Sequence, residues 1–123
     1  MKTFLSILFV NVVLISALSA SGDPVRVVTI MENKTVTVTT SESDAELFLS
    51  AVFNEGQNRF EFNTGKEINF VQIFNSEGQM EMQLPAMSKN IKLGMSLFEK
   101  GEYKLGFIVK GTSDIQFTNV TIN

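Results

Sequence analysis

Short apolar runs recur along the chain from residue 25 to the C-terminus, and in most of them hydrophobic and polar positions alternate. The runs are rich in Val, Ile, Thr and Phe, and none keeps a helical period for more than a turn or two. Roughly seven to nine such strands in ~100 residues predict an antiparallel β-sandwich. The predicted strands are 25–31, 35–40, 46–53, 59–63, 68–74, 79–84, 91–93, 102–109 and 115–122.

Turn residues occupy the segments between these strands. Asn75 to Gly78 is predicted to close a hairpin, because glycine readily takes the positive φ at the end of a four-residue turn. Both prolines are expected outside strand interiors, since proline has no N–H to give to a ladder. The other predicted connections are 32–34, 41–44, 54–57, 64–66, 85–89 and 110–114, with one helical turn within 95–100.

Phe60 and Phe62 share one face of the strand 59–63, and Glu61 lies on the other face. Because side chains alternate between the two faces of a strand, the two phenylalanines are expected in the core and Glu61 in solvent.

In the last strand, the apolar residues switch from one face to the other in the middle. Ile115 and Phe117 share one face, whereas Val120 and Ile122 share the other. A regular strand would turn one of these pairs towards water. We therefore expect a bulge or bend at 118–119 that returns both pairs to the interior.

The strands 46–53 and 68–74 are apolar on both faces, although only one face of each can lie in the core. Either loops or the N-terminal segment cover the second faces, or these faces form a docking surface for a partner or a second copy. The candidate interaction residues are Phe48, Val52, Val71 and Ile73.

The first 20 residues are typical of a secretory signal peptide. Lys2 is followed by an apolar run over 4–18 and then by small residues, which is the order that export requires. A transmembrane anchor is the alternative, but the run is shorter than the ~20 residues of a bilayer span. We expect cleavage within 19–22 and a single domain over 21–123, in the periplasm or secreted.

Composition excludes several kinds of chemistry. The chain contains no His, Cys or Trp, so histidine-based triads, thiol catalysis, thiolate metal sites and a lipoprotein anchor are absent. Its net charge is −3, and removal of Lys2 with the signal peptide makes it one unit more negative. An acidic domain is not expected to bind nucleic acid or an anionic membrane. We expect no cofactor and no metal.

Carboxylates are the remaining candidates for chemistry. Glu42, Asp44 and Glu46 lie close together, but calcium needs six to eight oxygen ligands and a glycine-turned loop. A solvated polar loop is therefore the preferred interpretation. Glu61 and Glu81 are a formal acid–nucleophile pair for glycoside hydrolysis, yet both alternate with apolar residues on strands and are expected to face water.

Three segments of the second half resemble known secreted domains. Residues 70–79, Phe-Val-Gln-Ile-Phe-Asn-Ser-Glu-Gly-Gln, resemble the hairpin of C-terminal domains in secreted Bacteroidetes proteins. Ile91-Lys92-Leu93 and residues 100–105, Lys-Gly-Glu-Tyr-Lys-Leu, are similar to the Ile-x-Leu and Gly-x-Tyr-x-Leu stretches of type IX secretion sorting domains. Small stand-alone secreted immunoglobulin-like proteins of unknown function are the better match, because no cargo precedes the domain and the chain ends without a basic residue. This resemblance implies an immunoglobulin-like fold, and Tyr103 is placed like the corner tyrosine of such folds.

The expected function is that of an exported, non-catalytic β-sandwich module that binds a protein or a glycan. A secretion-sorting or surface-assembly domain is the first alternative, and a hydrolase that uses carboxylates alone is the second. The sequence leaves the partner and the formation of homo-oligomers open.

Overall fold

The computed structural model describes residues 13–15 and 26–123, and most of them lie in antiparallel strands. The predicted signal peptide and its cleavage site lie outside the described residues, apart from 13–15. The strands are β1 Val13–Ile15, β2 Arg26–Glu32, β3 Val36–Ser41, β4 Phe48–Asn54, β5 Arg59–Phe74, β6 Met80–Gly94, β7 Gly101–Val109 and β8 Ile115–Ile122. One helical turn, α1 Glu42–Ala45, precedes β4, and a 3₁₀ turn, Met95–Leu97, follows β6.

Hydrogen bonding joins the strands in the order β1-β2-β3-β8-β7-β5-β4, and β6 lies on the other edge of β5. Every pair is antiparallel. The all-β antiparallel fold predicted from the sequence is confirmed. No helix within residues 26–123 has the length and apolar character that a bilayer crossing requires.

The central feature is a long bent hairpin made by β5 and β6. The first half of β5 pairs with β4 and its second half pairs with β7, while β6 follows β5 along its other edge. Both pairings of β5 with its neighbours are interrupted by register shifts between Asn63 and Phe70. The two halves therefore belong to different parts of the sheet, one next to β4 and the other next to β7, and their buried side chains meet in one core. We call these two parts of the sheet its layers.

Two sequence predictions are wrong at this bend. The turn expected at 64–66 lies inside β5, and the loop expected at 85–89 lies inside β6. Thr64 is buried and its hydroxyl donates to the carbonyl oxygen of Lys66, 2.7 Å away, so these residues bend the strand without reversing it. Pro85 is within a strand, contrary to expectation. Among the described strands β6 pairs only with β5, and an edge strand tolerates a proline.

Aromatic side chains from the two layers meet in the core. Phe60 and Phe62 are fully buried, as predicted. The ring of Phe62 lies 5.3 Å from that of Phe107 on β7, and the ring of Phe60 lies 5.4 Å from that of Phe98, both edge to face. This geometry is favourable for aromatic pairs beyond the area that they bury.

The bulge predicted in the last strand is absent. β8 pairs without interruption with both β3 and β7 through Thr118 and Asn119. Thr118, Val120 and Ile122 form the buried face. A β-branched threonine therefore occupies a core position that a pattern of apolar residues alone does not identify. Ile115 and Phe117 lie on the outer face of the sheet instead.

The predicted turns are otherwise largely present. Gly78 has a φ of 83°, and the side-chain oxygen of Asn75 accepts from the backbone N–H groups of Glu77 and Gln79. The hydroxyl of Tyr103 accepts from the backbone N–H of Glu99 at 2.8 Å, which is the structural role expected of a corner tyrosine. The segment 41–44, expected as a polar loop, instead begins α1, which Ser41 caps by accepting from the N–H of Asp44.

Candidate functional site

The four candidate interaction residues do not form one surface. Val71 and Ile73 are 1% and 0% exposed and belong to the core. Phe48 is half-buried, with its ring 5.0 Å from that of Phe107. Only Val52 is on the outside, with 48% of its side chain exposed. The docking surface expected from Val71 and Ile73 is therefore wrong.

Irregular register explains the error. A strict alternation places Ile68 and Phe70 on the face opposite Val71 and Ile73. The register shift between Ile68 and Phe70 changes the phase, so that Ile68 shares the buried face with Val71 and Ile73 while Phe70 points outwards. A similar shift between Phe48 and Ser50 in β4 turns Phe48 inwards.

Two of the three acidic residues around α1, Glu42 and Asp44, have structural partners, and Glu46 is exposed. A carboxylate oxygen of Asp44 accepts from the backbone N–H of Phe117 at 3.2 Å, which ties α1 to β8. A carboxylate oxygen of Glu42 lies 3.7 Å from the guanidinium of Arg26. Within residues 26–123, no group of acidic side chains is arranged to hold a metal ion.

Glu61 and Glu81 lie on opposite halves of the bent hairpin. Glu61 faces Lys92 across the ladder, whereas Glu81 is next to the hairpin turn and accepts from the side-chain amide of Asn75 at 3.3 Å. The hydrogen bond from Arg59, 3.0 Å long, lowers the pKa of Glu61 below its usual range. A general acid needs the opposite change, so Glu61 is not suited to that role.

A groove on the outer face of β5, β7 and β8 is the best-formed candidate site. Its volume is about 390 Å³, within the range of small-molecule sites. The rings of Phe74 and Phe117 are 6.4 Å apart, and the ammonium of Lys104 lies 5.1 Å from the centroid of the Phe117 ring. We call this the Phe74–Phe117 groove. It is lined by Phe74, Asn75, Ser76, Gly78, Glu102, Tyr103, Lys104, Phe117 and Asn119.

Strand pairing explains where the Phe117 ring lies. Gly106 lies between Gln72 on β5 and Phe117 on β8, and it has no side chain to fill the outer face. An added Cβ at Gly106 would approach Phe117 Cε1 to 3.1 Å, so the Phe117 ring leans across the glycine. The absence of a side chain at Gly106 thus leaves room for the Phe117 ring, which lines the groove.

Polar groups form the rim of the groove. Glu102, Lys104 and Asn119 are exposed, and they offer a carboxylate, an ammonium and an amide to a ligand. Asn75 is less available, because its side-chain oxygen already caps the hairpin turn. The arrangement places apolar rings beside hydrogen-bond donors and acceptors, which is a pattern suited to binding.

A second hollow, of about 490 Å³, lies at the bend of β6. Its lining contains the polar residues Ser88, Asn90 and Lys92 and six aliphatic ones, but no aromatic side chain. Because ligand sites are usually lined by aromatic as well as aliphatic side chains, the Phe74–Phe117 groove is the stronger candidate.

Sequence reasoning missed the groove because its residues come from three separate strands. The sequence pattern assigned Phe117 to the interior together with Ile115. Phe74 and Phe117 are also close to each other only because β7 lies between their strands, which the sequence does not show. A cue was present in Gly106, since an isolated glycine inside a strand often marks a close approach of other groups. Comparison of the chain with protein-family models, with curated proteins and with solved structures found no match.

Proposed function

We propose that the chain is an exported, non-catalytic β-sandwich module that binds a glycan in the Phe74–Phe117 groove. Export rests on the signal-like N-terminal sequence, and it would deliver the module to the periplasm or the cell surface. The resemblance to secreted immunoglobulin-like proteins and to type IX sorting domains of Bacteroidetes agrees with this proposal and remains a prediction.

The groove is the observation that supports binding. Aromatic rings present apolar surface to the C–H groups of a sugar, while amide, ammonium and carboxylate groups pair with its hydroxyls. Glu102 and Lys104 carry opposite charges, so the rim does not select a strongly charged ligand. An extended protein segment is the other partner that the sequence suggested, and the test below separates the two.

Calorimetric titration of the processed protein with cello-, xylo-, manno- and chito-oligosaccharides tests the proposal. At least one series is expected to bind, and Asn119→Ala and Glu102→Gln are each expected to weaken it by about tenfold, since ~1.4 kcal/mol corresponds to one hydrogen-bonding group. Glu55→Gln, in the exposed turn between β4 and β5, is the matched control. If no oligosaccharide series binds and an uncharged extended peptide does, the ligand of the groove is a protein segment and not a glycan.

A further inference from the structure

The edge of the sheet at β2 is covered by a segment that export would remove. β1 pairs with β2 through Val13–Val28, Leu14–Val27 and Ile15–Arg26, and β1 lies inside the proposed signal peptide, residues 1–20. Without β1, β2 keeps β3 as its one partner among the described strands. The exposed row of backbone N–H and C=O groups on such an edge is a template for another strand.

The sheet has two further edges, β4 at the end of the strand path and β6, which pairs with β5 off that path; β6 is the edge considered as the partner of β2. Pro85 and Met87, which has a φ of 50°, interrupt the middle of this strand. Proline and irregular backbone protect an edge against pairing. A register shift also separates Met80 from Met82, so residues 82–84 are the regular part near the hairpin turn. Met82 in this part lies opposite Ile73 of the core.

Strand directions make these two edges compatible. Along β2-β3-β8-β7-β5-β6 every neighbour is antiparallel, so β2 and β6 run in opposite directions. When two copies share one orientation, β2 of one copy can therefore add to β6 of the other as an antiparallel strand.

The faces of the two strands also correspond. Val28 pairs with the buried Thr40 and Met82 pairs with the buried Ile73, so both side chains point to the core side. Val27 and Gln83 point to the outer side, next to Ser41 and Gln72. A register that sets Val28 opposite Met82 keeps apolar side chains on one face of the joined sheet.

We propose that removal of residues 1–20 uncovers the β2 edge and that processed chains then associate head to tail, with β2 of one copy pairing with β6 of the next. The inference rests on the export proposed above, but not on the ligand of the groove. A head-to-tail contact of this kind repeats without closing unless its rotation completes a ring, and the product is a short linear assembly.

Two edge variants test the direction of the contact. Val27→Lys and Gln83→Lys place a charge on the outer side of each edge, which discourages strand pairing. In sedimentation velocity of the exported, processed protein, the wild type is expected to form oligomers and each variant to sediment as a monomer. An equimolar mixture of the variants is expected to form dimers, because each retains the edge that the other lacks. Val52→Lys on β4, where the side chain is already 48% exposed, is the control and should associate like the wild type.

Several results would overturn the proposal. A processed wild type that stays monomeric at high concentration would do so, and so would a protein whose mass shows that residues 1–20 are retained. Loss of association in Val27→Lys alone would indicate a two-fold β2–β2 contact instead. Thermal melts confirm that the variants fold, and titration with oligosaccharides measures the groove separately, since neither substituted residue lines it.

Discussion

Phe117 lies directly opposite Gly106 on the neighbouring strand, and its ring takes the space that a side chain at Gly106 would fill. An aromatic ring that covers a glycine on a neighbouring strand supplies the packing that the glycine lacks. The same relationship forms one wall of the Phe74–Phe117 groove, so the stability of the sheet and the shape of the groove depend on one pair of residues.

Gly106→Ala is therefore expected to destabilise the domain. The new Cβ would lie 3.1 Å from Phe117 and from Ile115, and overpacking of this kind costs about 1–3 kcal/mol. Urea melts give the free energy of unfolding. Gly65→Ala is the matched control, because its nearest neighbour would be 3.9 Å away. Equal stability of the two variants would show that Phe117 moves aside freely.

Phe62→Ala is expected to lower the free energy of unfolding by about 3–5 kcal/mol, because the ring is fully buried against Phe107. Glu61→Ala, one residue away on the outer face, should cost no more than about 1 kcal/mol. Urea denaturation of both variants at neutral pH provides the comparison. Similar losses in the two would contradict the assignment of faces in β5.

Thr118 and Thr40 form a matched pair of buried hydroxyls. Thr40 donates to the carbonyl oxygen of Phe117 at 2.6 Å, whereas the hydroxyl of Thr118 has no hydrogen-bond partner among the described residues. Thr118→Val should therefore stabilise the domain by about 1 kcal/mol, and Thr40→Val should destabilise it by about the same amount. Thermal melts that moved both variants in the same direction would argue against this distinction.

Tyr103→Phe removes one hydrogen bond and keeps the ring, which lies 5.0 Å from that of Phe98. We expect a loss of about 0.5–1.5 kcal/mol in the free energy of unfolding. Tyr103→Ala, which also removes the aromatic contact, should cost clearly more. If the phenylalanine variant were as stable as the wild type, the hydrogen bond to the Glu99 N–H would make no net contribution to the free energy of unfolding.

Glu61 gives a pH dependence with a defined sign. Its pKa is lowered in the folded state by the hydrogen bond from Arg59, so the contribution to stability is present above the unfolded pKa of about 4.5 and is lost as the pH falls through the folded value. An NMR titration should show the Glu61 carboxyl below its ordinary pKa, and Arg59→Gln should raise it. An unchanged titration in that variant would exclude Arg59 as the main cause.

The fold class could be predicted because β-branched and aromatic alternation is a local property. Gly78 in its turn and the buried pair Phe60 and Phe62 follow from the same local rules. The sequence 64–66 contains good turn residues, however, and only the pairing of β5 with two successive neighbours on one edge makes it a bend. Local composition does not contain that information.

The groove and the error over Val71 have a common physical origin. One extra residue in a ladder exchanges the two faces of everything that follows it, and the shift after Ile68 depends on β6 and β7, which come later in the chain. Phe74 and Phe117 are likewise neighbours only through β7. Sequence patterns identified the apolar residues correctly and failed on which of them share a face.

The β5–β6 hairpin, shared by both layers, also bears on how the domain assembles. A hairpin consists of contacts that are local in the chain, and such contacts form early because little loop entropy opposes them. Here the hairpin that forms early would already contain strand segments of both layers. The pairing of β3 with β8 joins distant parts of the chain and would form later. Neither layer can then melt alone without breaking the other, so unfolding is expected to be a single cooperative transition by every probe.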